Sequence, residues 1–386
     1  MSSSTSQTKP PCTLRPPVTN TAEGAVVREW LLTNAAGDMA CGTVGGPNTR
    51  RRHGLFTAAG DADRPAMLLL AELDVALEKN GERYPLSCHQ FADSRHPDGF
   101  SCCEEFRALP SPGWRYEVPG AEIAFRILMP EAERRVVCVW RVSTEEAGWR
   151  LSVRPLFAYR EAESLTHAND AADMELRQQH GAWRIAPYAG CPELILRTDG
   201  AAFERDPCWY YRLEHAWDVC LGRDAIEDAF SPGVFRWGLP AKGTVALAAG
   251  LSDGPTDIEV IEADQARRLA DWVVPAPDDD ISVALSRSAR AFLQSGADGR
   301  FILVPALPDS GGDARAVLIG LPGILLCTRR LDAARDILRG MLERIEEEAS
   351  DRPLDDLSLW LIRAGELYLH HSRDWHFLRE ELAPAA

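Results

Sequence analysis

Two runs of the chain, at 122–127 and 149–154, alternate side chains with the two-residue period of an extended strand. Ile123, Phe125 and Ile127 fall on one face, opposite Glu122, Ala124 and Arg126. Trp149, Leu151 and Val153 alternate in the same way with Arg150, Ser152 and Arg154. A helix would scatter these residues around its circumference, so the period restricts the region to sheet whose apolar face must be buried against a second layer. The run Val136 to Val142, the segment Glu145-Glu-Ala-Gly148 and the alternation from Trp149 onward together predict a β-hairpin. Many short strands punctuated by Gly and Pro extend the pattern and predict a large β-sandwich.

The pattern breaks at Val273-Val-Pro-Ala-Pro-Asp-Asp-Asp280, where two prolines and three consecutive aspartates mark a linker over 273–280. Beyond it the period is helical. Ala334, Ile337, Leu338, Met341, Leu342 and Ile345 form one stripe, and Leu357, Trp360, Leu361, Ala364 and Tyr368 another. Ser282 to Leu293 is a third helix candidate, and no internal repeat is visible. The expected organisation is a disordered tail over 1–20, a β-sandwich over 21–272 and a short all-α domain over 281–386.

A length of 386 residues is long for one domain, and 45% hydrophobic content is enough for sizeable cores. A formal net charge of −16 repels phosphate backbones, so nucleic acid and anionic membrane surfaces are excluded as expected partners, whereas a neutral polymer such as a glucan meets no such penalty. Residues 1–20 are rich in Ser, Thr and Pro and lack a basic and an apolar region, so they do not read as a signal peptide. No apolar run reaches transmembrane length, and the expected location is cytoplasmic. The ten cysteines show neither a CxxC pair nor a disulfide framework and are expected to be buried thiols. No phosphate-binding loop, nucleophile elbow or dinucleotide fingerprint occurs, so no cofactor is expected. His370, His371, Asp374 and His376 fit a helix end better than a metal site, because adjacent histidines on a helix point in different directions.

The stretch Gly42-Thr-Val-Gly-Gly-Pro-Asn-Thr-Arg-Arg-Arg-His-Gly-Leu55 carries the strongest functional signal. Arg50, Arg51 and Arg52 offer fixed forks of N–H donors, His53 adds a donor and an acceptor, and the bracketing glycines let the backbone turn tightly. With the lead-in Arg28-Glu-Trp-Leu-Leu-Thr-Asn34, it resembles the opening signature of the N-terminal domain of bacterial and archaeal glycogen debranching enzymes. Ala71-Glu-Leu-Asp74, His96-Pro-Asp-Gly-Phe100, Glu105-Phe-Arg107, Trp114-Arg-Tyr-Glu117, Arg154-Pro-Leu-Phe-Ala-Tyr-Arg160, Ser164-Leu-Thr-His167 and Glu227-Asp-Ala-Phe-Ser-Pro-Gly233 follow in that family's order. The resemblance implies a β-rich super-sandwich. It assigns Asn48, Arg50, Arg51, His53, Arg160 and His167 either to substrate binding or to bracing the β-domain against the helical domain. Glu163 stands where the family carries a histidine.

The helical part resembles the start of the family's (α/α) barrel, which carries amylo-α-1,6-glucosidase activity. Pro305, Asp309, Gly311 and Asp313 match a barrel motif, in which Ala306, Ser310 and Gly312 replace two tryptophans and an arginine. Leu321-Pro-Gly-Ile-Leu325 and Asp356-Leu-Ser-Leu-Trp360 match two further segments. The resemblance implies catalytic roles for Asp356 and Asp313, although Asp309 and Asp313 equally fit turn or capping aspartates. Glu346, Glu347 and Glu348 read as a solvated helix face. The residues after Asp280 are too few for a whole barrel, so a partial α/α barrel is expected, with a second polypeptide as the partner that would complete it. Glycoside hydrolysis requires two carboxylates; the resemblance places the acid at Asp356 and implies that the family's second carboxylate falls in the part of the barrel expected to be missing here. Two functions therefore compete: an α-1,6-debranching glucosidase acting on a glycogen-like α-glucan, and a noncatalytic α-glucan-binding or scaffolding protein.

Overall fold

A computed structural model describes residues 12–61, 64–272, 280–296, 299–308, 313–348, 356–377 and 379. The chain divides into two compact units, Met1–Gln265 and Ala266–Ala386. The first is β-rich and the second mainly helical.

Among the described residues the first unit contains two large antiparallel sheets. One has nine strands in the order Thr13–Leu14, Cys103–Arg107, Gly113–Val118, Ala121–Leu128, Arg135–Thr144, Lys242–Gly250, Leu194–Thr198, Ala182–Ile185 and Arg177–Gln179. The other has ten, running Glu29–Thr33, Met39–Thr43, Gly54–Ala58, Met67–Lys79, Arg150–Glu161, Ile226–Gly238, Ala202–Glu214, His89–Phe91 and Ser94–His96, with Glu82–Pro85 paired to Met67–Lys79. The inner faces interdigitate through aromatic rings. Trp30 of the ten-stranded sheet meets Trp114 of the other edge-on at 5.7 Å, and Trp140 and Trp237 approach across the same interface at 6.3 Å.

The central strands are buried on both faces. In Arg135–Thr144, Val136, Cys138 and Trp140 enter the core between the sheets, while Val137 and Val139 pack outward against Leu128, Ala248 and Ile261. Ile261 comes from the helix Ile258–Ala270, whose Glu262 takes hydrogen bonds from Arg126 (2.9 Å) and Arg141 (2.7 Å). That helix explains a strand in which both alternating sets are apolar.

Three sequence expectations are corrected here. The hairpin flanking 145–148 does not form: Arg135–Thr144 pairs within the nine-stranded sheet and Arg150–Glu161 within the ten-stranded one. The intervening turn crosses between layers and carries the buried Trp149 into the core. Alternation reports which face is buried, not which sheet a strand joins. The tail expected over 1–20 is ordered from Cys12, because Thr13–Leu14 pairs with Cys103–Arg107 and the buried Thr19 hydroxyl donates to the Cys103 carbonyl at 2.7 Å; the earlier residues lie outside the described ones. Of the ten cysteines, only Cys41, Cys88, Cys103 and Cys138 are buried, whereas Cys12, Cys220 and Cys327 are exposed.

In the second unit the helices Ala314–Leu321, Leu331–Glu348 and Leu357–Ser372 enclose Val317, Leu318, Leu325, Ala334, Ile337, Leu338, Leu361, Ala364 and Tyr368. Ala334, Ile337, Leu338, Leu361, Ala364 and Tyr368 belong to the helical stripes expected from the sequence, Ile345 is buried with them, and Met341, Leu342, Leu357 and Trp360 of the same stripes pack against them half-buried. The third helix candidate forms as Asp280–Ala289, followed by a 3-10 turn and a short strand pair, Leu293–Ser295 with Phe301–Leu303. The linker segment 273–279, Asp309 and the side chains of Glu346, Glu347 and Glu348 lie outside the described residues. Among the described residues no helix is long and apolar enough to cross a membrane.

Candidate functional site

The arginine stretch is the connection between the adjacent strands Met39–Thr43 and Gly54–Ala58. Gly46 turns it with φ +104, a conformation that disfavours side chains, and a Cβ there would come within 3.3 Å of the Cys88 backbone. Past the turn, the Asn48 N–H donates to Glu72 Oε1 (3.2 Å) and its side-chain amide to the Ala71 carbonyl (3.2 Å). The His53 N–H closes onto the Arg50 carbonyl at 3.0 Å.

Beneath the loop, neighbouring strands of the ten-stranded sheet contribute a buried charge network. Arg160 of Arg150–Glu161 and Glu227 of Ile226–Gly238 form a bidentate pair, Nε to Oε2 at 2.6 Å and Nη2 to Oε1 at 2.8 Å. The His215 ring faces Glu227 Oε1 with Nε2 (2.7 Å) and the Asn48 carbonyl with Nδ1 (3.2 Å). Burial alone would raise the Glu227 carboxyl, but Arg160 and His215 outweigh it and hold it at about 2. Arg160 Nη2 also donates to the Arg51 carbonyl at 2.7 Å, which ties the pair to the loop.

The loop grips the short helix Ala216–Cys220. Asp218, buried there, accepts from the Arg51 N–H at 2.8 Å and lies 3.4 Å from Arg51 Nε. Arg51 reaches on to the carbonyls of Glu163 and Asp224, and Arg52 pairs with the Glu163 carboxylate. Arg50 binds Glu29 at 2.6 Å and lies over the Trp217 ring, 4.7 Å from its centroid. On the far side of Glu72, His89 Nδ1 meets the Glu72 carboxylate. Burial pushes the His89 pKa down, but Glu72 and Asp74 prevail and raise it. Asp74 accepts from the Tyr210 hydroxyl at 2.8 Å.

Arg51, Arg160, His53 and Asn48 are thus brought together, and their partners described above lie within the β-rich unit. His167 stays apart: it is exposed, 4.0 Å from Asp228. In the helical unit, Asp313 is the N-cap of Ala314–Leu321 and accepts from the Arg315 N–H at 3.0 Å. Asp356 precedes Leu357–Ser372, with Arg315 Nη1 at 3.2 Å and Trp360 Nε1 at 3.1 Å on its carboxylate. Among the described residues no group of three or more acids, histidines and cysteines could hold a metal ion.

The sequence pattern of the glycogen debranching enzyme N-terminal domain matches residues 28–246, more than half of the chain and the whole network from Arg50 to Glu227. The chain belongs to the glycogen debranching enzyme N-terminal family. No curated protein matches it. Among solved structures, it is similar to a protein assigned as a kojibiose phosphorylase from the human microbiome (9% identity, TM-score 0.40, covering 84% of this chain and 50% of that one). It is also similar to a bacterial glucoamylase in complex with acarbose (9% identity, TM-score 0.28, 82% and 41%). The chain spans half or less of the length of these structures.

In this debranching-type domain, Glu72, His89, His215, Asp218 and Glu227 were not nominated from the sequence as site residues. A charged residue opening or interrupting an apolar strand, as Glu72 does within Met67–Lys79, is the one local signal that could have found them. His53 illustrates their setting. Burial first, then the charges of Arg50 and His215, lower it to about 3. His53 is therefore neutral at pH 7, and its 3.5 Å approach to Glu29 is not an ion pair. A histidine with a depressed folded pKa contributes stability that is fully present above about 6.5, its unfolded value, and is lost as pH falls toward about 3. The expected result is a loss of about 1.4 kcal/mol per pH unit across that window, absent from His53→Gln when urea unfolding is followed against pH. Identical pH profiles for the two proteins would reject this role.

Proposed function

We propose that this protein handles branched α-glucan of the glycogen type in the cytoplasm, its β-rich unit serving as a recognition element of debranching chemistry. Membership of residues 28–246 in the glycogen debranching N-terminal family carries this reading. The net charge of −16 agrees with an uncharged polymer as the ligand. Within the reading, the bond class is the α-1,6 branch, and Asp356 is the acid that a hydrolytic role would use.

A specific observation favours binding over hydrolysis as this chain's own part. Arg315 and Trp360 already donate to the Asp356 carboxylate, and Asp313 is engaged as a helix cap, so a glycosidic oxygen would have to displace existing partners. Cleavage of a glycosidic bond needs two carboxylates facing the bond, commonly about 5–10 Å apart. The expected outcome is retention on immobilised glycogen without glucose release from a branched limit dextrin, and retention unchanged in Asp356→Asn. Turnover lost by about 10²-fold or more in that variant would install the hydrolytic reading. Failure to bind glycogen would reject the proposal.

A further inference from the structure

The helix Ala216–Cys220 presents successive side chains in opposite directions. Asp218 turns inward to the arginine loop, whereas Trp217 remains 47% exposed. All other tryptophans of the β-rich unit are buried or half-buried. Leaving an indole in water forgoes one of the largest hydrophobic gains available to a side chain. Nor is Trp217 loose. Its backbone N–H donates to the Thr49 carbonyl at 2.8 Å, which fixes the residue, and the Arg50 guanidinium, tied to Glu29 at 2.6 Å, lies 4.7 Å from the ring centroid. The ring is thereby held in place with part of its surface left to solvent.

Charged groups surround the same short helix. Arg51 links Asp218 to the carbonyls of Glu163 and Asp224, and Arg223 approaches Asp218 Oδ1 at 3.4 Å. A flat, rigid apolar face bordered by donors and acceptors suits a pyranose ring, whose C–H bonds lie against an aromatic surface while its hydroxyls reach sideways to charged groups. Val219 and Leu221, beside Trp217 in the sequence, are also exposed, so a broad apolar contact with a protein partner would lose as much on substitution of Leu221 as of Trp217, whereas a sugar stacked on the indole would not.

We propose that Trp217 is a stacking platform for a glucose residue of an α-glucan, and that Arg50 positions its ring. The proposal rests on the α-glucan reading above and adds the contact residue to it. Titration of the full chain with maltoheptaose tests it. Trp217→Ala should weaken binding about tenfold or more, Trp217→Tyr should fall between, and Leu221→Ser, a nearby exposed apolar position, should bind as the wild type. Arg50→Ala should weaken binding and Arg50→Lys should restore part of it. In the wild type, maltoheptaose should protect Trp217 from oxidation by N-bromosuccinimide, a readout that does not depend on any variant folding. Wild-type affinity in Trp217→Ala, or absence of protection, with glucan binding intact, would overturn the platform and leave the α-glucan reading standing. An equal loss in Leu221→Ser would assign the patch to a general apolar contact and overturn it too. A wild type that binds no glucan would remove both.

Discussion

Glu227→Gln is expected to lower the unfolding free energy at neutral pH by about 3–5 kcal/mol, because it leaves the Arg160 guanidinium buried without its counter-charge. The side chains of Arg160 and Glu227 are each only 4% exposed, so solvent cannot take over the missing partner. The same substitution replaces one of the two carboxylate oxygens that serve Arg160 and the His215 ring by an NH2 donor, and so loosens the Arg160 contact that holds the Arg51 carbonyl. Replacing both charges, as Arg160→Met with Glu227→Leu, should cost less than either single change, since nothing charged is then left buried. The sign of the pH effect follows from the depressed carboxyl. Its contribution is present above the ordinary glutamate value of about 4.3 and is lost as pH falls toward about 2. Wild type and Glu227→Gln should therefore converge in stability at the acid end of that window. Chemical denaturation at pH 7 checks the first part, and a loss under about 1 kcal/mol would show that the network does not brace the sheet.

Trp140→Ala should produce a loss of similar size by a different route. Trp140 is fully buried, stacks on Phe125 at 5.0 Å within its own sheet and meets Trp237 of the opposite sheet. Truncation removes the ring from both layers and leaves a cavity that two strand-paired sheets cannot collapse to fill, which costs about 3–5 kcal/mol. A fall in melting temperature of about 10 °C is expected, at roughly 2–4 °C per kcal/mol for a unit of this size. The exposed Leu359 provides the control, because Leu359→Ala should stay within about 0.5 kcal/mol of the wild type. Equal melting temperatures for Trp140→Ala and the wild type would contradict the inter-sheet packing.

The two losses draw on different information in the chain. Part of the apolar core was legible in advance. Ile123, Ile127, Leu151 and Val153 are spaced at the strand period, and all four are buried where that period puts them. The same holds for Ile337, Leu338, Leu361 and Ala364 on their helices. The arginine stretch was also recognisable, since three forked cations and a histidine between glycines are an uncommon demand on a loop. Its partners were not. Arg51 finds Asp218 and Asp224 more than 160 positions away in sequence, and Arg160 finds Glu227 at a separation of 67. No local spacing encodes such pairs.

Amino-acid order by itself thus determined the division between a strand-period region and a helix-period region, the buried face of the elements whose period is clear and the presence of one chemically unusual loop. These follow from side-chain periodicity and turn chemistry, which act over a few residues. Tertiary structure alone decided that the chain crosses between sheets at 145–149, that Arg315 reaches the Asp356 carboxylate, and that Trp217 remains in solvent under Arg50. Each depends on which distant strands or helices come side by side, and burial then sorts the charges into pairs because an unpaired buried ion is too costly to keep.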